Sequence, residues 1–211
     1  YKRQRQLVTK DATIREIHHR VKNNLQTVAA LLRLQSRRMS NSDAKDALKQ
    51  AMGRVSAIAV VHEILSQNFE EQVAFDEVAD RILHMVGDVA ASSGSVVARR
   101  EGSFGEVPAE TATALSLATT ELCQNAIEHS LDSSSGNVIV RPHRTDDALV
   151  VDIVSDGKPL PEGFSLDNHR SSLGLSIVTT LMQDLGGTFT LEDNSDRVGT
   201  CARLVIPLQR L

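Results

Sequence analysis

The sequence predicts an α+β protein, a helical hairpin followed by an α/β sandwich in which helices cover one sheet. Three observations predict it. Apolar residues recur at helical spacings through residue 65, no Phe occurs before Phe69, and from about residue 73 short β-branched runs alternate with helical stretches. At 211 residues the chain can bury a core of its own. Its 23 Lys+Arg against 27 Asp+Glu, formally −4, give no electrostatic reason for direct contact with nucleic acid. No apolar run approaches the ~18 residues of a spanning helix, so no membrane insertion is expected. No signal-peptide pattern opens the chain. Cys123 and Cys201 show neither CxxC nor Cys/His spacing, which fits a reducing, cytoplasmic location. Residues 1–10, opening at Tyr1, are expected to be a linker from an upstream sensor region.

In the first helix Ile14, Val21, Val28 and Gln35 are seven apart, as are Ile17, Asn24 and Leu31. His18, Leu25, Leu32 and Met39 form a neighbouring row. With Ile14 at heptad position a, these rows make the wide a/d/e stripe of a bundle helix. "MSNSDAKD", residues 39–46, reads as the turn, with Ser42 or Asp43 as N-cap of the second helix. There Ala44, Leu48, Ala51, Val55, Ile58, His62 and Leu65 repeat the pattern. One hairpin buries two such stripes poorly. Residues 11–70 are therefore expected to form a homodimer through a four-helix bundle.

Residues 71–211 have a different texture. A helix is expected over 75–90 and a strand near 95–101, then a long helix, "VPAETATALSLATTELCQNAIEHS", entered through Pro108. "GNVIVRPHR" and "ALVVDIVSDG" read as strands around a turn. "SLGLSIVTTLMQDLG" reads as a helix stopped by Gly186 and Gly187, and "GTFTLED" with "GTCARLVIPL" as a closing hairpin.

The chemistry is concentrated in two places. "REIHHRVKNNLQ", residues 15–26, holds adjacent histidines that point about 100° apart on a helix. His18 falls at e, beside the apolar stripe, and His19 at f, opposite the seam. Glu16 and Asn23 lie three before and four after His19, so carboxylate, imidazole and amide share an exposed face. A carboxylate that holds one imidazole N–H leaves the other nitrogen a better nucleophile. Farther along, Glu121, Asn125 and His129 recur every four residues on one helix face.

"EIHHRVKNNLQTVAALLRLQSRR" resembles the dimerisation and phosphoacceptor segment of sensor histidine kinases whose box reads His-Arg-x-Lys-Asn. The rest of the chain resembles their GHKL-type ATP-binding domain, of the superfamily shared with gyrase and Hsp90, and the resemblance covers roughly residues 11–208. Within the family it is nearest the actinobacterial antitermination type, whose response regulator carries an RNA-binding output domain. The resemblance implies that His19, which immediately precedes the arginine, accepts the phosphoryl group, with Glu16 beside it.

"TELCQNAIEHS", residues 120–130, resembles the family's N box. That implies Asn125 as a hard Mg²⁺ ligand, Glu121 orienting or deprotonating the attacking group, and His129 meeting a phosphate of ATP. "VSDGKPLPEGF" resembles the first glycine box, Asp-x-Gly-x-Gly, with Gly157 as its first glycine, Ser155 at the aspartate position and Pro159 at the second glycine. Alternation supports this register. Leu149, Val151 and Ile153 lead inward to Ser155, whereas a row ending at Asp156 would bury Asp152. Ser155 is thus expected at the adenine, with Asp156 beside it.

"SSLGLSIV", residues 171–178, resembles the second glycine box, in which Leu173, Gly174 and Leu175 open a helix whose free amides can receive phosphate. Gly199–Thr200 matches the hairpin where the family places a threonine near adenine, and residues 158–172 would form a short lid. No GxxxxGK motif occurs, which excludes a P-loop. The implied function is ATP-dependent histidine autophosphorylation followed by transfer to a response-regulator aspartate. Two alternatives share the fold. One is a dimeric scaffold without ATP turnover, suggested by Ser155 and Pro159. The other is an anti-sigma-type protein-serine kinase, against which the histidine hairpin argues.

Overall fold

The structure, a computed structural model, describes residues 2–67, 72–91, 96–131, 135–166, 172–195 and 197–208. The chain divides into two compact units, 1–73 with 106–116, and 74–105 with 117–211.

The first unit is built on α1 (Lys2–Arg38) and α2 (Ser42–Gln67), packed as a hairpin. The backbone of 2–10 continues α1, so the expected linker is helical. Along α1 Arg15, His18, Lys22, Leu25, Ala29, Leu32 and Ser36 are partly or fully buried, spaced alternately by three and four on the side of His62 of α2, with Val21 also half-buried beside them. The expected stripe therefore divides. His18, Leu25 and Leu32 of its e row lie in the hairpin seam, while Met39 of that row and Ile14, Ile17, Val28 and Leu31, from rows a and d, are exposed. A bundle helix has two neighbouring helices, and a single chain supplies one of them.

α2 starts at Ser42, but its cap is the preceding residue, not Ser42 or Asp43. Asn41 Oδ1 accepts from the backbone N–H of Asp43 at 2.9 Å and of Ala44 at 3.3 Å. The same unit contains a short ladder that periodicity does not reveal, β1 (Gln72–Ala74) paired with β3 (Glu106–Pro108). Through it residues 106–116 join the hairpin unit, although the expected division at 70/71 assigns them to the second region.

The second unit comprises α3 (Phe75–Ala91), β2 (Val96–Arg100), the continuation of α4 (Ala109–Asn125), a π-helical turn at Ala126–Ser130, and then β4 (Gly136–Arg144), β5 (Ala148–Ser155), α5 (Leu173–Asp184), β6 (Thr188–Asp193) and β7 (Thr200–Pro207). Its five-stranded sheet runs β2-β4-β5-β7-β6, parallel between β2 and β4 and antiparallel elsewhere. Leu149, Val151, Ile153 and Ser155 form the inward row of β5, opposite Val138, Val140 and Pro142 of β4 and Ala202, Leu204 and Ile206 of β7. The other face stays wet. There Arg203 donates twice to Asp152 across β5 and β7, at 2.6 and 2.8 Å, and Arg141 donates to Glu101 at 2.9 Å. α5 ends as expected: Gly186 has φ +67, and the Gly187 N–H donates to Met182 O at 2.8 Å.

Asn41→Ala should lower the unfolding free energy by about 1 kcal/mol, and Asn41→Gly by only a few tenths, because the lost group is a capping acceptor. Denaturant midpoints of the two variants check this; equal losses would mean the amide is not acting as a cap.

Candidate functional site

Two sets of polar side chains stand out, one in each unit. On α1 His19 is exposed, and the Asn23 amide lies 3.4 Å from its Nδ1. Glu16 shares this face but does not hold the imidazole. Its carboxylate accepts from Arg20 Nε at 2.7 Å, and that hydrogen bond, with the guanidinium charge, keeps it below the usual carboxylate range. A guanidinium four residues on is the stronger donor in reach, so it displaces the ring.

His18 turns the other way. Its Nδ1 lies 2.9 Å from Nδ1 of His62 on α2, with ring centroids 5.1 Å apart. Burial pushes both imidazoles below their ordinary pKa, and for His62 the neighbouring His18 adds to the effect. One ring must donate and the other accept. Of the adjacent pair, one histidine belongs to the seam and the other to the surface.

In the second unit α4 places Glu121 in the interior, 3% exposed, with Asn125 half-buried one turn on. Gly174, near the start of α5, is packed against both. A Cβ there would stand 2.6 Å from Glu121 Oε2 and 3.7 Å from Asn125 Nδ2. The second glycine motif and the N-box pair thus converge, although some fifty positions apart in sequence. His129 does not stay in line with them. From Ala126 the helix is π-helical, so four residues no longer complete a turn, and His129 is exposed. At the start of α5, Ser172 makes no side-chain cap, Leu173 is exposed and Leu175 half-buried. Among the described residues no side chain caps the amides of that first turn.

Ser155 sits where alternation places it, at the inner end of β5 and 0% exposed. Its Oγ lies 2.7 Å from Ser130 Oγ and 2.9 Å from Thr200 Oγ1, and both partners are themselves buried. Asp156 points elsewhere. It accepts from the backbone N–H of Asn137 at 2.7 Å and from its amide at 2.6 Å. Burial works to raise its pKa, but these bonds, with Arg197 adding a little, hold the carboxyl below its ordinary range.

Gly157 has no room for a side chain, since a Cβ would lie 2.2 Å from Ser130 O. Gly199, with φ +137, likewise runs against Ser155 O. Ser130 and Asn137 escaped the sequence reading. Their only signal is the alternation that brings Ser155 and Val138 opposite one another. Of the expected lid, Leu160 is anchored through its N–H to Asp193 at 2.7 Å, while 167–171 lie outside the described residues. Among the described residues no group of three or more His, Cys, Asp or Glu could hold a metal, and no helix is long and apolar enough to cross a membrane.

Comparison with known proteins matches two families along the chain. Residues 16–90 match the family described as histidine kinase, and residues 110–210 the histidine kinase-, DNA gyrase B- and HSP90-like ATPase family. The sensor histidine kinase PdtaS of Mycobacterium tuberculosis is 50% identical over 99% of this chain, and that of Mycolicibacterium smegmatis 48% identical over 99%. The chain spans 42% of the length of each. Among solved structures, the histidine kinase domain of the Erythrobacter litoralis EL346 blue-light activated histidine kinase superposes with a TM-score of 0.65 at 25% identity, over 96% of this chain and 94% of that one.

The histidine pair has a pH signature. Both folded pKa values lie below the unfolded value of ~6.5, so the unfolded chain takes up protons first as pH falls. The pair's contribution is therefore complete above ~6.5 and is lost as pH drops through the lowered folded values. Glu16 and Asp156 respond only in the carboxylate range. Chemical denaturation at pH 7.5 and 5.5 should show a loss in the wild type that is much smaller in a His18→Gln/His62→Gln double variant.

Proposed function

The chain belongs to the histidine kinase family, and on that premise we propose that it is the catalytic core of a sensor histidine kinase. Residues 11–70 would dimerise and carry the phosphoacceptor, and residues 71–211 would bind ATP. The observation that carries the reading is the approach of Gly174 to Glu121 and Asn125. It sets a helix start with uncapped amides, suited to phosphate, against an amide and a carboxylate suited to a hard cation.

The residues fit their ligands. Asn125 would hold Mg²⁺, which would supply positive charge to offset that of the phosphates. The first turn of α5 around Leu173, Gly174 and Leu175 would receive phosphate, His129 would meet it from the solvent side, and Ser155 with Thr200 would face the base. Asp156 and Gly157 shape the turn beside the base. Glu121 would orient the attacking group.

At His19 a ring nitrogen attacks the γ-phosphorus. The P–N bond forms as the P–O bond to the leaving diphosphate breaks, and the electron pair departs on the ADP oxygen. The Asn23 amide, turned to present its oxygen, would accept from Nδ1–H and leave the lone pair on Nε2. Glu16, bound to Arg20, helps to set the charge of this face and takes no proton. The phosphoryl group then passes to an aspartate of a response regulator, whose output we read as RNA-binding from the family resemblance. We place the protein in the cytoplasm.

We propose a homodimer because Ile14, Ile17, Val28 and Leu31 stand exposed at bundle spacing along α1. Sedimentation should show a dimer at micromolar concentration and a folded monomer for Ile17→Glu/Leu31→Glu. A monomeric wild type would remove the bundle.

Incubation with γ-labelled ATP and Mg²⁺ should leave a label that is stable to base and labile to acid. His19→Gln should abolish it while the dimer persists, and His18→Gln should retain it. Asn125→Asp, still folded, should reduce labelling by at least about 100-fold. Label on His18, or normal labelling of Asn125→Asp, would overturn these assignments.

A further inference from the structure

We propose that the nucleotide base is read by a neutral hydroxyl relay, Thr200–Ser155–Ser130, and that Ser130 is a positioning residue for adenine specificity. The proposal rests on the ATP-binding reading above and adds to it what selects the base. Each of the three hydroxyls has one proton to give. Ser130 Oγ donates to Lys158 O at 3.1 Å. That carbonyl is held in place, because the Lys158 N–H donates back to Ser130 O at 2.8 Å and Gly157 allows the two backbones to meet.

With its proton committed, Ser130 can only accept across the 2.7 Å contact, so Ser155 donates. Ser155 in turn must accept at 2.9 Å, so Thr200 donates. The Thr200 N–H, 3.4 Å from Ser155 Oγ, points in the same sense. Every proton thus runs inward to Lys158, and Thr200 Oγ1, in the least buried of the three residues, keeps only lone pairs. Such an end accepts from the 6-amino group of adenine and meets a 6-oxopurine lone pair to lone pair. An aspartate would present an acceptor by its charge; here a neutral chain does so by its direction. Remove the Ser130 hydroxyl and Ser155 is free to donate to Thr200, whose own proton can then turn outward.

The test is calorimetric titration of the 211-residue chain with Mg²⁺-ATP and Mg²⁺-ITP, nucleotides that differ at the 6-position of the base. The wild type should prefer ATP by about tenfold or more. In Ser130→Ala the ratio should fall to about threefold or less, and Ser130→Thr, which keeps the hydroxyl, should restore it. Thr200→Val, which deletes the outer acceptor and leaves Ser130 in place, should also collapse the ratio, so the proposal survives a Ser130→Ala chain that does not fold. ATP binding with the ratio unchanged in Ser130→Ala or in Thr200→Val overturns the relay and leaves the ATP-binding reading standing. A wild type that takes both nucleotides equally does the same. A wild type that binds neither overturns the ATP-binding reading itself.

Discussion

The second unit depends on one close approach. Gly157 passes so near the carbonyl of Ser130 that a Cβ would lie 2.2 Å from it, and the next residue, Lys158, donates its N–H to that same oxygen at 2.8 Å. This ties the end of the long helix to the end of the central strand. Asn125 and Glu121 stand just before the tie on one side, and Ser155 just before it on the other. The π-helical turn at Ala126–Ser130 serves the same junction. An extra residue per turn lets Ser130 turn toward Ser155, at the cost of the regular spacing that would align His129 with Asn125.

What could be read from the sequence was whatever periodicity or backbone chemistry enforces. The alternation of Leu149, Val151 and Ile153 placed Ser155 on the inner face, and the inner face is where it lies. Gly186 and Gly187 marked the end of α5 because a left-handed residue is needed there. The heptad rows were read as one stripe, but that α2 covers only part of it was not visible, since an amphipathic stripe does not say which neighbour covers which edge. The β1–β3 ladder is too short for a period to register, and the π turn has no residue type that demands it. Capping by Asn41 in place of Ser42 is a one-residue choice among side chains that all cap well.

Side-chain competition was also hidden. Glu16 can reach His19 at one spacing and Arg20 at another, and the spacings alone are equivalent. The guanidinium takes the carboxylate because a charge-assisted bond is stronger than one to a neutral imidazole. The consequence for chemistry is useful. The carboxylate is held by Arg20, and the neighbour at the Nδ1 of His19 is an amide, which can fix a tautomer. His18 meanwhile gives the hairpin a polar contact inside its seam with His62, where two neutral rings pair at a fixed helix rotation. That rotation keeps His19 at the surface.

The same economy of charge runs through the end of the sheet where Ser155 meets Ser130 and Thr200. Formal charges of the central strands pair on the outer face, where Asp152 meets Arg203 and water screens both. Inside, the polar groups at the strand ends are hydroxyls. A carboxylate at Ser155 would have to be desolvated among Ser130, Thr200 and apolar neighbours, and it would need donors to offset that cost. Three hydroxyls need only one another and a backbone carbonyl. Their weakness is that a hydroxyl does not declare whether it donates or accepts, so a neutral site is ambiguous unless something fixes its direction. The Lys158 carbonyl, held by the Gly157 approach, is such a fixed point. A backbone constraint at the turn therefore becomes a choice of proton direction two hydroxyls farther out, at Thr200.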